Sequence, residues 1–153
     1  MAKKATAMDA QLILHLYDLR REPEMRKARH WWVAEFWPQS ADDFIKVASA
    51  GGMPENGWYR QVGSYWSMAC SFVLQGVLNA DLFLQPSNSG EMLLLFSKVH
   101  PFLKELREKM GDPMMFASIE KVITGSKFGR ERLAITLKRV EAMKEKRTAA
   151  KAS

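Results

Sequence analysis

The segment over residues 58–75 constrains the fold most, because apolar side chains occur on nearly every side of the helix that its spacing predicts. One line of side chains repeats at intervals of three and four residues and comprises Trp58, Val62, Tyr65, Ala69, Phe72 and Val73. A second line comprises Tyr59, Trp66 and Cys70. A helix with so little polar surface has to be surrounded by other elements, so this segment is predicted to be the centre of a helical bundle.

The rest of the chain shows helical spacing too, and no stretch sustains the alternation that is typical of a β-strand. Six further segments share the helical pattern. We expect helices over about residues 9–21, 23–37, 40–50, 91–110, 112–125 and 128–147. Pro101 should kink the helix over 91–110, because proline removes a backbone hydrogen bond. The sequence therefore predicts an all-α protein, a compact multi-helix bundle of five or more helices.

Caps, prolines and glycines set the expected ends of these helices. Asp9 is a candidate N-cap for the first helix. Pro38 should stop the helix over 23–37, because the residue before a proline avoids helical angles. Residues 51–57 and 85–90 are rich in Gly, Pro, Asn and Ser, so we expect loops there.

Length and composition indicate one domain over residues 1–147, followed by a disordered basic tail at 148–153. The single cysteine, Cys70, cannot form an internal disulfide. The longest fully apolar run covers residues 92–96, far short of the roughly 20 residues that a membrane span needs. We expect a soluble, cytoplasmic protein with no membrane span.

The formal net charge of +6 is confined to the C-terminal segment. Residues 126–153 contain nine Lys or Arg and three Asp or Glu, whereas the rest of the chain is neutral. Such a segment suits an acidic partner, including nucleic acid. The candidate contacts for a polyanion are Lys138, Arg139, Lys146 and Arg147. Acidic residues interrupt them, so we expect weak, nonspecific attraction that depends strongly on salt.

The residues that usually carry catalysis or bind cofactors form no convincing motif here. No histidine has a glutamate three residues before it, as a di-iron helix bundle would need. Ser118 and Lys121 have the Ser-x-x-Lys spacing without the companion motifs of that enzyme class. Cys70 lies in an apolar segment, where burial makes a thiol inert. We therefore assign no catalytic, cofactor-binding or metal-binding residue, and we expect no cofactor.

Tryptophan is concentrated in the segment His30 to Trp37, which contains three Trp and one Phe. Neighbouring residues on a straight helix diverge by 100°, so Trp31 and Trp32 should not both face the core. The excess indicates either a helix that is covered on two sides or a surface for protein binding, where Trp is favoured. Trp31, Trp37 and Phe128 are the candidate interface residues.

Three stretches carry a resemblance to a known family. They are WWVAEFWP at 31–38 with SADD at 40–43, WYRQVGSYW at 58–66 with GVLNADLF at 76–83, and PFLKELR at 101–107. Over roughly residues 20–125 the chain resembles a family of uncharacterised bacterial helical domains of unknown function. The resemblance implies an all-helical bacterial domain and supplies no activity, cofactor or catalytic residue. The basic C-terminal segment lies outside it.

These observations favour a non-enzymatic interaction or structural protein that self-associates or docks on another protein through apolar, Trp-rich surface. A homo-oligomer is one form that this prediction takes. One alternative is a nucleic-acid-associated protein that uses its basic C-terminal helix. The other is an enzyme with an unrecognised pocket, although no convergent set of polar catalytic groups is visible.

Overall fold

The structure is a computed structural model that describes residues 3–153. It consists of helices joined by short turns, and residues 3–153 contain no strand. The elements are α1 (Ala7–Leu19), α2 (Pro23–His30), a π-helical turn (Trp31–Glu35), α3 (Ala41–Ala48), α4 (Pro54–Leu74), α5 (Ala80–Phe83), α6 (Pro86–Val99), a 3-10 turn (His100–Phe102), α7 (Leu103–Met110), α8 (Ala117–Thr124) and α9 (Lys127–Ala152). The predicted all-α class is confirmed.

Helix α4 lies at the centre of the bundle, as its apolar surface predicted. It packs against α2, α3, α8 and the π-helical turn. Its buried side chains include Val62, Trp66 and Cys70. The helix begins at Pro54, four residues before the predicted start, because proline fits the first turn of a helix. Part of the expected loop over 51–57 is therefore helical.

The N-cap of α1 is Thr6, so the prediction that Asp9 caps this helix was wrong. The Thr6 hydroxyl accepts a hydrogen bond from the Asp9 backbone N–H at 3.3 Å. The Asp9 carboxylate in turn accepts one from the Thr6 backbone N–H at 2.8 Å. This reciprocal pair is a capping box, in which an acidic residue occupies the third helical position.

Two boundaries in the middle of the chain also differ from the prediction. The α-helix that was expected to reach Trp37 ends at His30, and a π-helical turn continues it. The expected loop over 85–90 is largely the first turn of α6, which starts at Pro86 and tolerates a non-helical Ser89 at φ −133°. The predicted kink at Pro101 is confirmed, since a 3-10 turn separates α6 from α7.

In the C-terminal part of the chain, α8 starts later than expected and α9 ends later than expected. Residues 112–116 form a turn, and α8 begins at Ala117. Helix α9 continues past Arg147 to Ala152, where the sequence suggested a disordered tail. Alanine occurs three times in residues 149–152, and it is the residue that favours helix most strongly. The extension makes α9 the longest helix over residues 3–153, at 26 residues.

The core position of Trp66 predicts a large cost for its removal. Trp66 is 2% exposed, and its indole N–H donates to Glu91 Oε1 at 3.3 Å. We expect Trp66→Ala to lower the free energy of unfolding by about 3–5 kcal/mol, because truncating a buried aromatic residue leaves a cavity. Urea unfolding measures the change. Leu74→Ala, at an exposed position of the same helix, is the control, and equal effects of the two substitutions would contradict the assignment of Trp66 to the core.

Candidate functional site

The most unusual polar group in the described residues is Lys98, on α6, which is fully buried. Its ammonium donates hydrogen bonds to three backbone carbonyl oxygens of the turn after α2. These are the oxygens of Trp32 at 2.5 Å, Val33 at 3.0 Å and Phe36 at 3.0 Å. In its protonated form the amine has three N–H donors, one for each of these oxygens.

The π-helical turn explains why carbonyl oxygens are available at this point. The last carbonyl groups of a helix have no partner within the helix, and they carry the negative end of its dipole. The Trp37 indole N–H satisfies one more of them, the Ala34 oxygen, at 3.0 Å. The same indole ring lies 3.7 Å from Lys98 Nζ, a cation–π contact. Lys98 therefore caps the turn, and Trp37 covers Lys98.

Helix α9 crosses this cap and adds two further cations. The Arg147 guanidinium lies 5.1 Å from the Trp37 ring centre, so the same indole contacts both Arg147 and Lys98. Lys144 Nζ donates to the Lys98 backbone oxygen at 3.1 Å. Burial first, and then the charges of Arg147 and Lys144, lower the pKa of the Lys98 amine to about 7.

A lysine with a lowered pKa is often a nucleophile, but the geometry here assigns Lys98 a structural role. Its nitrogen has no exposed surface, and three carbonyl oxygens surround it. A substrate would have to displace the cap of the turn to reach the amine. Lys98 positions α6, the turn and α9 relative to one another.

Beside this cap lies a groove between α9 and the chain around Gln39 and Pro101, which we call the α9 groove. Its volume is about 720 Å³, within the range of about 300–1,000 Å³ that ligand sites have. It is lined by Gln39, Ser97, Pro101, Leu137, Val140, Glu141, Lys144, Glu145, Thr148, Ala149 and Ala152. The buried Ser97 hydroxyl has no hydrogen-bond partner within residues 3–153.

The opposite side of α9, which we call the outer face of α9, presents apolar side chains to solvent. Phe128 is 39% exposed, Ile135 54% and Met143 44%. Their spacing of seven and eight residues places them along one side of the helix. Lys138, Arg139 and Lys146 are exposed on the same helix. The outer face thus combines apolar and basic groups.

The predicted interface residues are not brought together on one surface. Trp31 is 5% exposed and stacks on Phe36 with ring centres 4.5 Å apart, so little of its indole can contact a partner. Trp37 is half-buried between Lys98 and Arg147. Phe128 lies on α9 and remains exposed, with the Arg132 guanidinium 5.9 Å from its ring centre.

The candidate polyanion contacts divide in a similar way. Lys138, Arg139 and Lys146 extend from α9 into solvent, whereas the guanidinium of Arg147 packs over Trp37. No hydrogen bond or salt bridge within residues 3–153 engages the first three side chains. Three of the four predicted residues therefore remain available to an external anion.

Other groups with catalytic potential are inert or dispersed in the structure. Cys70 is buried against Met92, and burial raises the pKa of its thiol to about 12. In the part of the chain that the structure describes, no three His, Cys, Asp or Glu side chains converge as a metal site would require. Over the same residues, each helix is too short or too polar to cross a membrane.

The buried aromatic turn, the central α4 and the helices around it define an all-helical domain. The chain belongs to the family described as a domain of unknown function (DUF4760), whose model matches residues 5–126. The resemblance to an uncharacterised domain family is thereby confirmed, and α9 lies beyond the match. Among curated proteins and solved structures, none is significantly similar to this chain.

The buried amine predicts a distinctive pH dependence of stability. The pKa of Lys98 is about 7 in the folded chain and about 10.4 in an unfolded one. Between these values the unfolded chain binds more protons, so the contribution of Lys98 makes the free energy of unfolding rise with pH. We expect the native chain to gain stability relative to Lys98→Met between pH 7 and 8.5, by about 1–2 kcal/mol.

Urea unfolding of both proteins across this pH range measures the difference. The Lys98→Met variant should be less stable throughout, because three buried carbonyl oxygens lose their donor. Groups other than Lys98 titrate in both proteins and cancel in the comparison. Parallel pH profiles for the two proteins would contradict the lowered pKa.

Proposed function

We propose that this chain is a non-enzymatic interaction protein that docks on an acidic surface of another protein through the outer face of α9. The observation that carries the proposal is the exposure of Phe128, Ile135 and Met143 within the segment that holds all of the net positive charge. Apolar side chains grouped on a soluble surface are typical of protein contacts. Basic groups around them select a partner of opposite charge.

The proposal moves the contact surface away from the tryptophan cluster. Trp31 is buried, and Trp37 is covered by Arg147. Phe128 retains its predicted place in the interface, and Ile135 and Met143 extend it along α9. A second copy of the chain is a less favourable partner for this face, because two segments of charge +6 would repel each other.

The surroundings of Lys98 and Cys70 favour this binding role over an enzymatic one. Both reactive groups are buried: backbone carbonyl oxygens surround the Lys98 amine, and the Cys70 thiol packs against Met92. The setting that we propose is the bacterial cytoplasm, on the strength of the sequence resemblance and of a lone, unpaired cysteine in a chain of 153 residues.

Site-specific photocrosslinking in the native cell tests the docking proposal. A photoreactive phenylalanine analogue at Ile135 should give one predominant crosslinked protein. The same analogue at Gln61, an exposed polar position of α4, is the control and should not give it. Adding Phe128→Ser and Met143→Ser should reduce the yield at Ile135 several-fold, because these changes remove apolar contact from the same face.

Two results would contradict the proposal. The first is equal crosslinking from Ile135 and Gln61, which would show that the contacts are nonspecific. The second is a crosslinked product that contains two copies of this chain, which would assign the face to self-association. Sedimentation at micromolar concentration identifies the second case independently, because the monomer has a mass of 17.5 kDa.

Nucleic-acid association is the second candidate function, and the free cationic side chains of Lys138, Arg139 and Lys146 favour it. We expect weak DNA and RNA binding that falls steeply with salt. Replacing all three residues by Glu should lower the slope of log affinity against log salt by about three, at about one per phosphate contact. Binding that survives about 200 mM salt and discriminates between sequences would place this function first.

A further inference from the structure

We propose that the α9 groove is a second docking site, which binds a basic amphipathic helix of another protein. The groove and the outer face lie on opposite sides of α9 and differ in charge. The outer face is apolar and basic, whereas the groove is apolar and acidic. Helix α9 would then hold two partners of opposite charge, one on each side.

The last turns of α9 leave the groove open, because they pack only lightly on the body. No residue of 141–152, about three turns, is buried. Two cationic side chains contact the body from this segment. Lys144 Nζ donates to the Lys98 backbone oxygen at 3.1 Å, and Arg147 lies over the Trp37 ring. One side of these turns is therefore available to a partner.

The length and the apolar wall of the groove fit a helix. The lining runs along α9 from Leu137 to Ala152, a rise of about 22 Å, which equals about four turns of a second helix. Leu137 is half-buried, and Pro101, Ala149 and Ala152 are exposed, so their apolar surface is accessible. The two alanines are small, which lets the axis of a second helix approach closely. An amphipathic helix that lays its apolar face in a groove is a common mode of recognition.

The acidic side chains at the groove select a basic partner. Residues 126–153 contain three acidic residues, and two of them, Glu141 and Glu145, line the groove. Both are exposed, and neither forms a salt bridge within residues 3–153. Like charges four residues apart destabilise a helix, so a Lys or Arg of the partner beside them relieves a repulsion and adds an attraction.

Lys144, the cation of the lining, is directed toward the body. Its Nζ donates to the Lys98 backbone oxygen and lies 5.6 Å from the Phe102 ring centre. Burial lowers the pKa of its amine, which weakens its hold on a positive charge. The charge that the groove presents to a partner is therefore negative, which favours a basic helix over an acidic segment or a nucleic acid.

Titration of the full chain with model peptides tests the proposal. The probe is a fluorescently labelled Leu/Lys peptide of about 14 residues, which spans about four helical turns, with its leucines on one helical face. We expect saturable binding of one equivalent, because the groove is a single site. A peptide of the same composition in scrambled order should bind about tenfold more weakly, because its leucines do not share one face. A Leu/Glu peptide of the same pattern should not displace the probe.

Substitutions on α9 locate the site. Glu141→Gln with Glu145→Gln should weaken binding of the Leu/Lys peptide about tenfold, as expected for the loss of two exposed ion pairs. Ala149→Trp occupies the groove from an exposed position and should weaken binding by a similar factor. Glu131→Gln is the control, because Glu131 is the third acidic residue of the segment and lies outside the groove lining. It should leave the affinity unchanged.

Three results with the peptides would overturn the proposal: no saturable binding of the Leu/Lys peptide, its displacement by the Leu/Glu peptide, or undiminished binding to Ala149→Trp. A dimer of the chain in sedimentation that Ala149→Trp dissociates would also overturn it, because the groove would then belong to a second copy.

The two docking sites fail independently of each other. Phe128→Ser with Met143→Ser alters the outer face and should leave the affinity for the Leu/Lys peptide unchanged. Ala149→Trp alters the groove and should leave the crosslinking yield at Ile135 unchanged. Failure of the groove and failure of the outer face are therefore distinguishable.

Discussion

The arrangement of the helices depends on the cap that Lys98 places on the π-helical turn. A buried ammonium is tolerated only when its protons have acceptors, and the three carbonyl oxygens at the end of the turn supply them. The π-helical turn also needs the lysine, because its carbonyl oxygens would otherwise be buried without hydrogen-bond donors. Each half of the contact would be costly alone, so α6 and the turn are fixed in one register.

The parts of the fold that local sequence governs could be predicted. Residues 58–75 revealed a central helix because the apolar spacing of a helix is a property of neighbouring residues. The break at Pro101 was visible for the same reason, since proline acts on its own turn. The cap of α1 was misplaced by three residues because Thr6 and Asp9 are both acceptable caps, and only their mutual hydrogen bonds decide between them.

The site around Lys98 could not be predicted, because its partners are distant in the chain. The three carbonyl oxygens that Lys98 contacts belong to residues 62–66 positions earlier. From its neighbours alone Lys98 resembles any lysine at the edge of a helix. The prediction that Trp31 and Trp32 do not both face the core was wrong for another reason. The Phe36 N–H donates to the Trp31 carbonyl oxygen, five residues earlier, at 2.8 Å. The π-helical turn is therefore wound more loosely than the α-helix, and the assumed 100° between neighbours does not apply. Both Trp31 and Trp32 can then be buried.

The close approach of α8 and α9 separates the unit of sequence similarity from the unit of folding. The family match ends at residue 126, yet at Gly129 even a Cβ atom would overlap the Ile123 carbonyl oxygen of α8. Leu133 joins the main core a turn later, and Arg147 covers the indole that shields the buried ammonium. In a chain that ends at residue 126, the part of the core that Leu133 covers and the Trp37 indole would both contact water. The family match is therefore shorter than the set of helices that shares this core.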